Sequence, residues 1–143
     1  MNWFKKLLGG GDSEEAVDYY EEGLALQRAG KFHDALTSFR LALRESPGDT
    51  VVLQQIAITY TRIGMTDEAI RTYRTVLDRE PDASGAHYGL AFILLKRGEE
   101  REAVRHLKAF LGNPPRGGEA EEHIGHARAT LAQLRGETDE MFD

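Results

Sequence analysis

A repeat with a period of 34 residues constrains the fold of this 143-residue chain more than any other feature of its sequence. When the units begin at Ala16, Thr50 and Ser84, the same kinds of residue fall at the same places in each unit. Small residues and large apolar residues recur in register, at Gly23, Ala57 and Ala91; at Gly30, Gly64 and Gly98; at Ala35, Ala69 and Ala103; and at Phe39, Tyr73 and Leu107. The repeat predicts three copies of one structural unit that stack on each other.

Each unit has the pattern of two short helices that are joined at a glycine. Ile56, Tyr60 and Ile63 recur at spacings of three and four residues, which places them on one face of a helix. A glycine ends the first helix, and Pro47, Pro81 and Pro115 follow the second helices, because proline cannot continue the hydrogen-bonded backbone. We therefore predict an all-α fold.

At these positions the chain resembles the tetratricopeptide repeat family, whose units have the same length and the same pattern of small, aromatic and proline residues. The resemblance implies an α-solenoid, a right-handed superhelix of three helix-turn-helix units with a concave face. The expected repeats are 16–49, 50–83 and 84–117. A further helix over about 119–134, with Ile124, Ala127, Leu131 and Leu134 at helical spacing, is expected to cap the third repeat. This domain would span residues 12–135, followed by an acidic tail, 136–143, that we expect to be disordered.

Composition excludes several classes of function. The chain has no cysteine, which removes disulfides, thiolate metal sites and cysteine nucleophiles and fits a reducing compartment. Its net charge of −6 disfavours binding to nucleic acid. There is no apolar run of roughly 20 residues, the length that crosses a bilayer, and residues 1–8 are too short for a secretory signal. We therefore expect a cytoplasmic protein.

The sequence offers little chemistry for catalysis. It has no glycine-rich phosphate loop, no nucleophile elbow and no paired-histidine zinc motif, so we expect neither an enzyme nor a cofactor. The best metal candidate is His123 with His126, with Glu119 one turn away, but so few ligands on an exposed helix make a weak site and we expect no bound metal. His87 falls where the other repeats carry packing residues, and we interpret it in the same way.

A binding groove is better supported. In the family the first helix of each repeat lines the concave face. The matching positions in this chain are Val17, Tyr20, Leu24, Gln27, Arg28, Val51, Gln54, Ile58, Thr61, Arg62, Gly85, Tyr88, Phe92, Leu95 and Lys96. Below, these residues are called the groove set. Tyr20, Tyr88 and Phe92 are its predicted anchors, and Gly85 and Gly89 are interpreted as a bare patch for a ligand backbone.

One margin of the groove set repeats a cation, at Arg28, Arg62 and Lys96. We therefore expect a protein or peptide ligand, an amphipathic helix or an extended peptide with apolar anchors and acidic flanks. The helix dipole alone also favours a cation at these places, and a second copy of the chain is an alternative cover for the apolar residues. The groups with which chaperone-binding relatives clamp a terminal carboxylate are replaced by Tyr20, Leu24, Gln55, Gly85 and Gly89, so that class of adaptor is not expected.

The first eleven residues give an alternative function. Trp3, Phe4, Leu7 and Leu8 would share one helical face opposite Lys5 and Lys6, ahead of a glycine hinge at residues 9–11. So short a segment forms a helix only against another surface. The candidate surfaces are a partner protein, a groove in the same copy or in a second copy of the chain, and an acidic membrane. Two lysines give only about 2 kcal/mol of attraction to acidic lipid. A segment without a role is a further alternative. The alternative is thus a self-assembling or membrane-recruited assembly protein.

Overall fold

The fold was analysed in a computed structural model, which describes residues 16–142 and their side chains as far as residue 136. Within that range the chain forms seven α-helices and no strand. The helices are α1 (Tyr19–Arg28), α2 (Phe32–Glu45), α3 (Thr50–Arg62), α4 (Thr66–Arg79), α5 (Ser84–Lys96), α6 (Glu100–Gly112) and α7 (Gly118–Phe142). Each expected repeat contains one pair of helices, and α7 follows the third pair.

The ends of the helices follow from local sequence. The Asp18 carboxylate caps α1 by accepting a hydrogen bond from the backbone N–H of Glu21, at 3.1 Å, and Asp49 caps α3 in the same way. The first helix of each pair is followed by a glycine with a φ of 79° to 82°, a conformation that glycine adopts at little cost. These turns fold the second helix of each pair back against the first.

The small residues of the repeat are the contact points between paired helices. Ala35, Ala69 and Ala103 are fully buried, and so are Ala57 and Ala91. The core extends from one pair to the next, since one cluster of buried side chains joins α3 and α4 to α5 and α6. The architecture is therefore an all-α solenoid, as the sequence predicts.

The last helix differs from its predicted length. It packs on α6 through the buried residues Ala127 and Leu131, which makes it the cap of the third pair. It continues, however, to Phe142, through the stretch for which we expected a disordered tail. No proline lies between Leu134 and Phe142, and Gly136 weakens a helix by only about 1 kcal/mol relative to alanine. The amphipathic segment predicted over residues 1–11 lies outside the described residues.

Candidate functional site

The groove set lies on or next to the first helices, and several of its residues, among them Leu24, Ile58 and Phe92, pack against the edge of the core. None of its fifteen residues is buried: each is half-buried or exposed. Neighbours on the same helices, such as Ile56, Leu90 and Ala91, are buried. Thus α1, α3 and α5 each turn one face into the core, and the predicted residues lie at the margins of that face or outside it. Their role in binding stays a prediction.

Polar side chains join the first helices to each other along this surface. The Gln27 amide on α1 donates a hydrogen bond to Thr59 Oγ1 on α3 at 3.0 Å, and Thr59 in turn donates to the backbone carbonyl of Gln55 at 2.8 Å. Thr59 is fully buried. Nothing in the repeat pattern indicates that the Thr59 hydroxyl has a partner on another helix, so this residue is not predictable from the sequence. These bonds hold α1 and α3 in register and so fix the spacing of the groove residues.

The predicted bare patch is filled at Gly89 but not at Gly85, which is exposed. The ring of Tyr73, from α4, lies where a side chain at Gly89 would be, and the Gln54 amide lies in the same way against Gly85. Tyr73 is almost fully buried, and burial raises its pKa to about 12 against the opposing effect of a hydrogen bond to Thr61. Gly89 is therefore a packing glycine that lets α4 approach α5, whereas Gly85 is exposed and meets only the end of the Gln54 side chain.

At one end of the groove set, the start of α1, the end of α2 and the start of α3 line a cleft of about 570 Å³. Val17, Tyr20 and Val51 of the groove set line this cleft, and Val51 is 57% exposed. The carboxylates of Asp18, Glu45 and Asp49 also line it. Partial burial raises the pKa of Tyr20, with a further contribution from the charges of Glu21 and Asp49. The cleft is apolar at its floor and acidic at its rim.

At the other end the predicted anchors Tyr88 and Phe92 contact α7. The His126 ring stacks on Phe92, with centroids 4.4 Å apart and planes 7° apart. The Tyr88 hydroxyl lies 2.8 Å from His126 Nδ1, and the Tyr88 ring lies 4.8 Å from His123 and 5.0 Å from Phe110. Burial and the nearby carboxylate of Glu122 raise the pKa of Tyr88. The two histidines that we weighed as metal ligands are therefore aromatic partners of the groove.

Packing of α7 explains this contact. His123 lies one turn before Ala127, on the edge of the face that packs against α6, and His126 precedes Ala127 directly. The spacing of His123 and Ala127, one helical turn apart, indicates from the sequence that the two residues lie on the same side of α7. Within the described part of the chain, no group of three or more histidine, aspartate or glutamate side chains is arranged to hold a metal ion.

The repeated cations occupy equivalent places. Arg28, Arg62 and Lys96 are each the last residue of their helix, and all three are exposed. The Arg62 guanidinium lies over the Phe32 ring, 5.0 Å from its centroid. Elsewhere in residues 16–136, ion pairs to carboxylates are formed by Arg71, Arg74 and Arg97. The groove cations therefore remain available to an acidic ligand.

His87 belongs to a polar network away from the groove. Its Nε2 donates a hydrogen bond to the Pro81 carbonyl at 2.7 Å, which leaves Nδ1 to accept from His106 Nδ1 at 2.9 Å. His106 Nε2 lies 3.4 Å from Glu102, whose carboxylate binds the Arg74 guanidinium through two contacts of 3.0 Å. The network joins α4, α5 and α6 through side-chain contacts, which fits the packing role expected for His87.

The chain is similar in sequence to known repeat proteins. A sequence model of the tetratricopeptide repeat matches residues 26–82 and 64–115. The chain is 31% identical over 117 residues to the inactive TPR repeat-containing thioredoxin TTL3 of Arabidopsis thaliana. That match covers 75% of this chain but only 17% of the relative, so the chain spans about a sixth of that protein. No helix in residues 16–142 is long and apolar enough to cross a membrane.

Two solved structures are similar to the chain over most of its length. The type III secretion chaperone SycD of Yersinia enterocolitica, in complex with a peptide of the translocator YopD, superposes with a TM-score of 0.78 at 19% identity, over 90% of this chain and 97% of that one. The first TPR of Spaghetti (RPAP3), bound to the HSP90 peptide SRMEEVD, gives 0.67 at 18% identity, over 80% of this chain and 90% of that one. These similarities show the fold.

Proposed function

Because the chain belongs to the tetratricopeptide repeat family, we propose that it is a non-catalytic adaptor that holds a protein or peptide ligand against its groove set. The observation that carries the proposal is the common exposure of that set. Fourteen residues on the first helices of three successive repeats, together with Val17 just before α1, stay half-buried or exposed while neighbours on the same helices are buried. Apolar residues at the centre, such as Leu24 and Ile58, are suited to the buried anchors of a ligand. We place its action in the cytoplasm.

The expected ligand is acidic around its apolar anchors. The three exposed cations lie at the ends of successive helices, so a ligand that crosses all three helices would pass each of them in turn. Two structures of the same fold hold peptides, one from YopD and one from HSP90. This chain lacks the clamp residues for a terminal carboxylate, and we therefore propose an internal segment as its ligand.

Tyr88 and Phe92 act differently from Tyr20 in this proposal. Their rings already pack against His123 and His126, so they form the end wall of the groove, and a ligand meets only their outer edges. The more open part of the surface lies along α1 and α3. We expect the strongest apolar contacts of a ligand at Tyr20, Leu24 and Ile58.

Selection from a random peptide display library tests the proposal. The selected peptides should carry acidic residues beside apolar ones. Binding of a labelled selected peptide should weaken by at least about tenfold in the double variant Ile58→Ala, Arg62→Glu, because loss of an anchor in the middle of an interface typically costs about 2 kcal/mol or more. Added salt should also weaken binding, because it screens the exposed cations.

The matched control replaces the same residue classes outside the groove set. Met65→Ala removes an exposed apolar side chain at the start of α4, and Arg44→Glu reverses an exposed charge on α2. Equal peptide affinity in the control and in the groove variant, with both folded by circular dichroism, would refute the proposed site.

Assembly through the N-terminal segment is the second candidate function. The observation that favours it is the acidic, apolar-floored cleft beside Val17, whose chemistry complements that of Trp3, Phe4, Leu7 and Leu8 with Lys5 and Lys6. Light scattering of the full chain and of a chain starting at Asp12 tests it. A lower mass for the shorter chain supports assembly through the segment, and equal masses contradict it.

A further inference from the structure

A second groove runs between α6 and α7, apart from the groove set. It encloses about 370 Å³. Its floor is formed by Val104, Leu131 and Leu134, of which Leu131 is buried and the other two are half-buried. Its rim is formed by the exposed side chains of Glu100, Arg101, Lys108 and Arg135.

The rim is basic although the chain as a whole is acidic. Three cations and one carboxylate line the groove, whereas the net charge of the chain is −6. An apolar floor with a basic rim fits a segment that carries large apolar residues among acidic ones. Such a segment exists in the chain itself. Residues 137–143 contain four acidic residues, no basic residue and the apolar pair Met141 and Phe142.

This segment cannot enter the groove of its own copy. Leu131, Leu134 and Arg135 form one wall of the groove, and α7 continues as a helix from them to Phe142. At a rise of 1.5 Å per residue, Phe142 lies about 12 Å beyond Leu134 along the helix axis. The helix therefore carries the acidic residues away from the groove that its preceding residues help to build.

We propose that two copies of the chain pair through α7, with residues 137–143 of each copy lying in the α6–α7 groove of the other. Two α7 helices that run antiparallel bring each acidic end to the other copy's basic rim. A twofold axis relates the two copies, so the assembly closes at two copies and does not grow into a filament. Met141 and Phe142 are the apolar residues of the segment that match the apolar floor formed by Val104, Leu131 and Leu134.

Mass measurement at increasing protein concentration tests the pairing. The full chain should approach twice its 16.0 kDa mass, and its dimers should dissociate as salt is added. A chain that ends at Gly136 and the variant Arg101→Glu, Lys108→Glu should both remain at the single-chain mass. The first keeps the groove and lacks the occupant, and the second keeps the occupant and reverses the rim.

A charge exchange separates specific pairing from a general loss of stability. Adding Asp139→Lys and Glu140→Lys to the Arg101→Glu, Lys108→Glu variant should restore the dimer. Arg44→Glu, an exposed charge on α2, should leave dimerisation unchanged. A single-chain mass for the full chain at every concentration, or dimers that persist in both the shortened chain and the rim variant, would overturn the proposal. Peptide binding by the groove set is measured separately and does not depend on this outcome.

Discussion

Gly23 sets how closely α1 approaches α2. The equivalent positions in the next two repeats hold Ala57 and Ala91, and alanine is tolerated there. The ring of Phe39, which is 0% exposed, occupies the space that a side chain at Gly23 would need. The Gly23→Ala variant should therefore lower the free energy of unfolding by about 1 to 3 kcal/mol, in spite of alanine's better helix propensity. Chemical denaturation measures this difference.

Gly125 is the matched control for that substitution. It lies within α7, and a side chain placed on it would meet no neighbouring atom within 4 Å. Gly125→Ala should therefore raise the free energy of unfolding by up to about 1 kcal/mol, the ordinary helix preference of alanine over glycine. If both variants changed stability in the same direction, close packing at Gly23 would not be the reason for its glycine.

His106 gives the stability of the protein a predictable pH dependence. Burial lowers its pKa from the ordinary value of 6.5, and the charges of His87 and Arg105 act in the same direction, against the opposing effect of Glu102. The unfolded chain therefore binds a proton more readily than the folded one. This contribution to stability is complete above pH 6.5 and is lost as the pH falls below that value towards the lower pKa of the folded state.

The variant His106→Gln isolates this effect, because glutamine keeps a polar side chain that does not titrate. From about pH 7 to pH 5, where histidine ordinarily titrates, the melting temperature of the original protein should fall more steeply than that of the variant. Burial alone would raise the pKa of Glu102, but Arg74 and His106 outweigh burial and lower that pKa. The stability that the Glu102 carboxylate contributes is therefore lost only below pH 4.5. Parallel melting profiles would contradict the assignment.

Among the helices, α7 contributes stability through a narrow apolar face. Leu131 is 8% exposed and packs with Ala127 against the side chains of Leu107 and Phe110. Leu131→Ala should lower the free energy of unfolding by about 2 to 5 kcal/mol, since it leaves a cavity between α6 and α7. Val51→Ala, at a site that is 57% exposed, should change it by less than about 0.5 kcal/mol. Similar losses in the two variants would show that α7 is not packed as a cap.

The helices themselves were predictable because their signals are local. Gly30, Gly64 and Gly98 take the turn conformations that their spacing indicates, and the closing prolines follow the second helices. The end of α7 was not predictable from the same signals, since neither proline nor a strong capping residue marks it. Element boundaries depend on such stop signals, and α7 continues where they are missing.

Contacts between distant helices were the harder part of the site. The repeat pattern predicts which side of α5 faces solvent, but it does not show that Tyr73 fills the space at Gly89 or that His126 stacks on Phe92. Both contacts depend on how one helix is placed over another. Nothing in the sequence distinguishes these side chains from others of the same types in the chain. The sequence therefore predicts the surface, and the fold decides which of its residues remain open.

At the level of the whole molecule, we expect ligand binding and self-association to use different surfaces. The groove set lies on α1, α3 and α5, whereas the basic groove lies between α6 and α7. A dimer that pairs through α7 leaves α1 and α3 of both copies uncovered. The same chain then presents two ligand surfaces, which strengthens its attachment to a partner that carries two copies of the ligand segment.

Hydrogen exchange of the full chain, with and without a peptide selected for binding, tests whether the groove set holds the ligand. Ligand held by the groove set should slow amide exchange in α1, α3 and α5 and leave the outward-facing turns of α2 and α4 unchanged. Slowed exchange confined to α2, α4 and α6, or no change in the first helices at saturating peptide, would contradict the account.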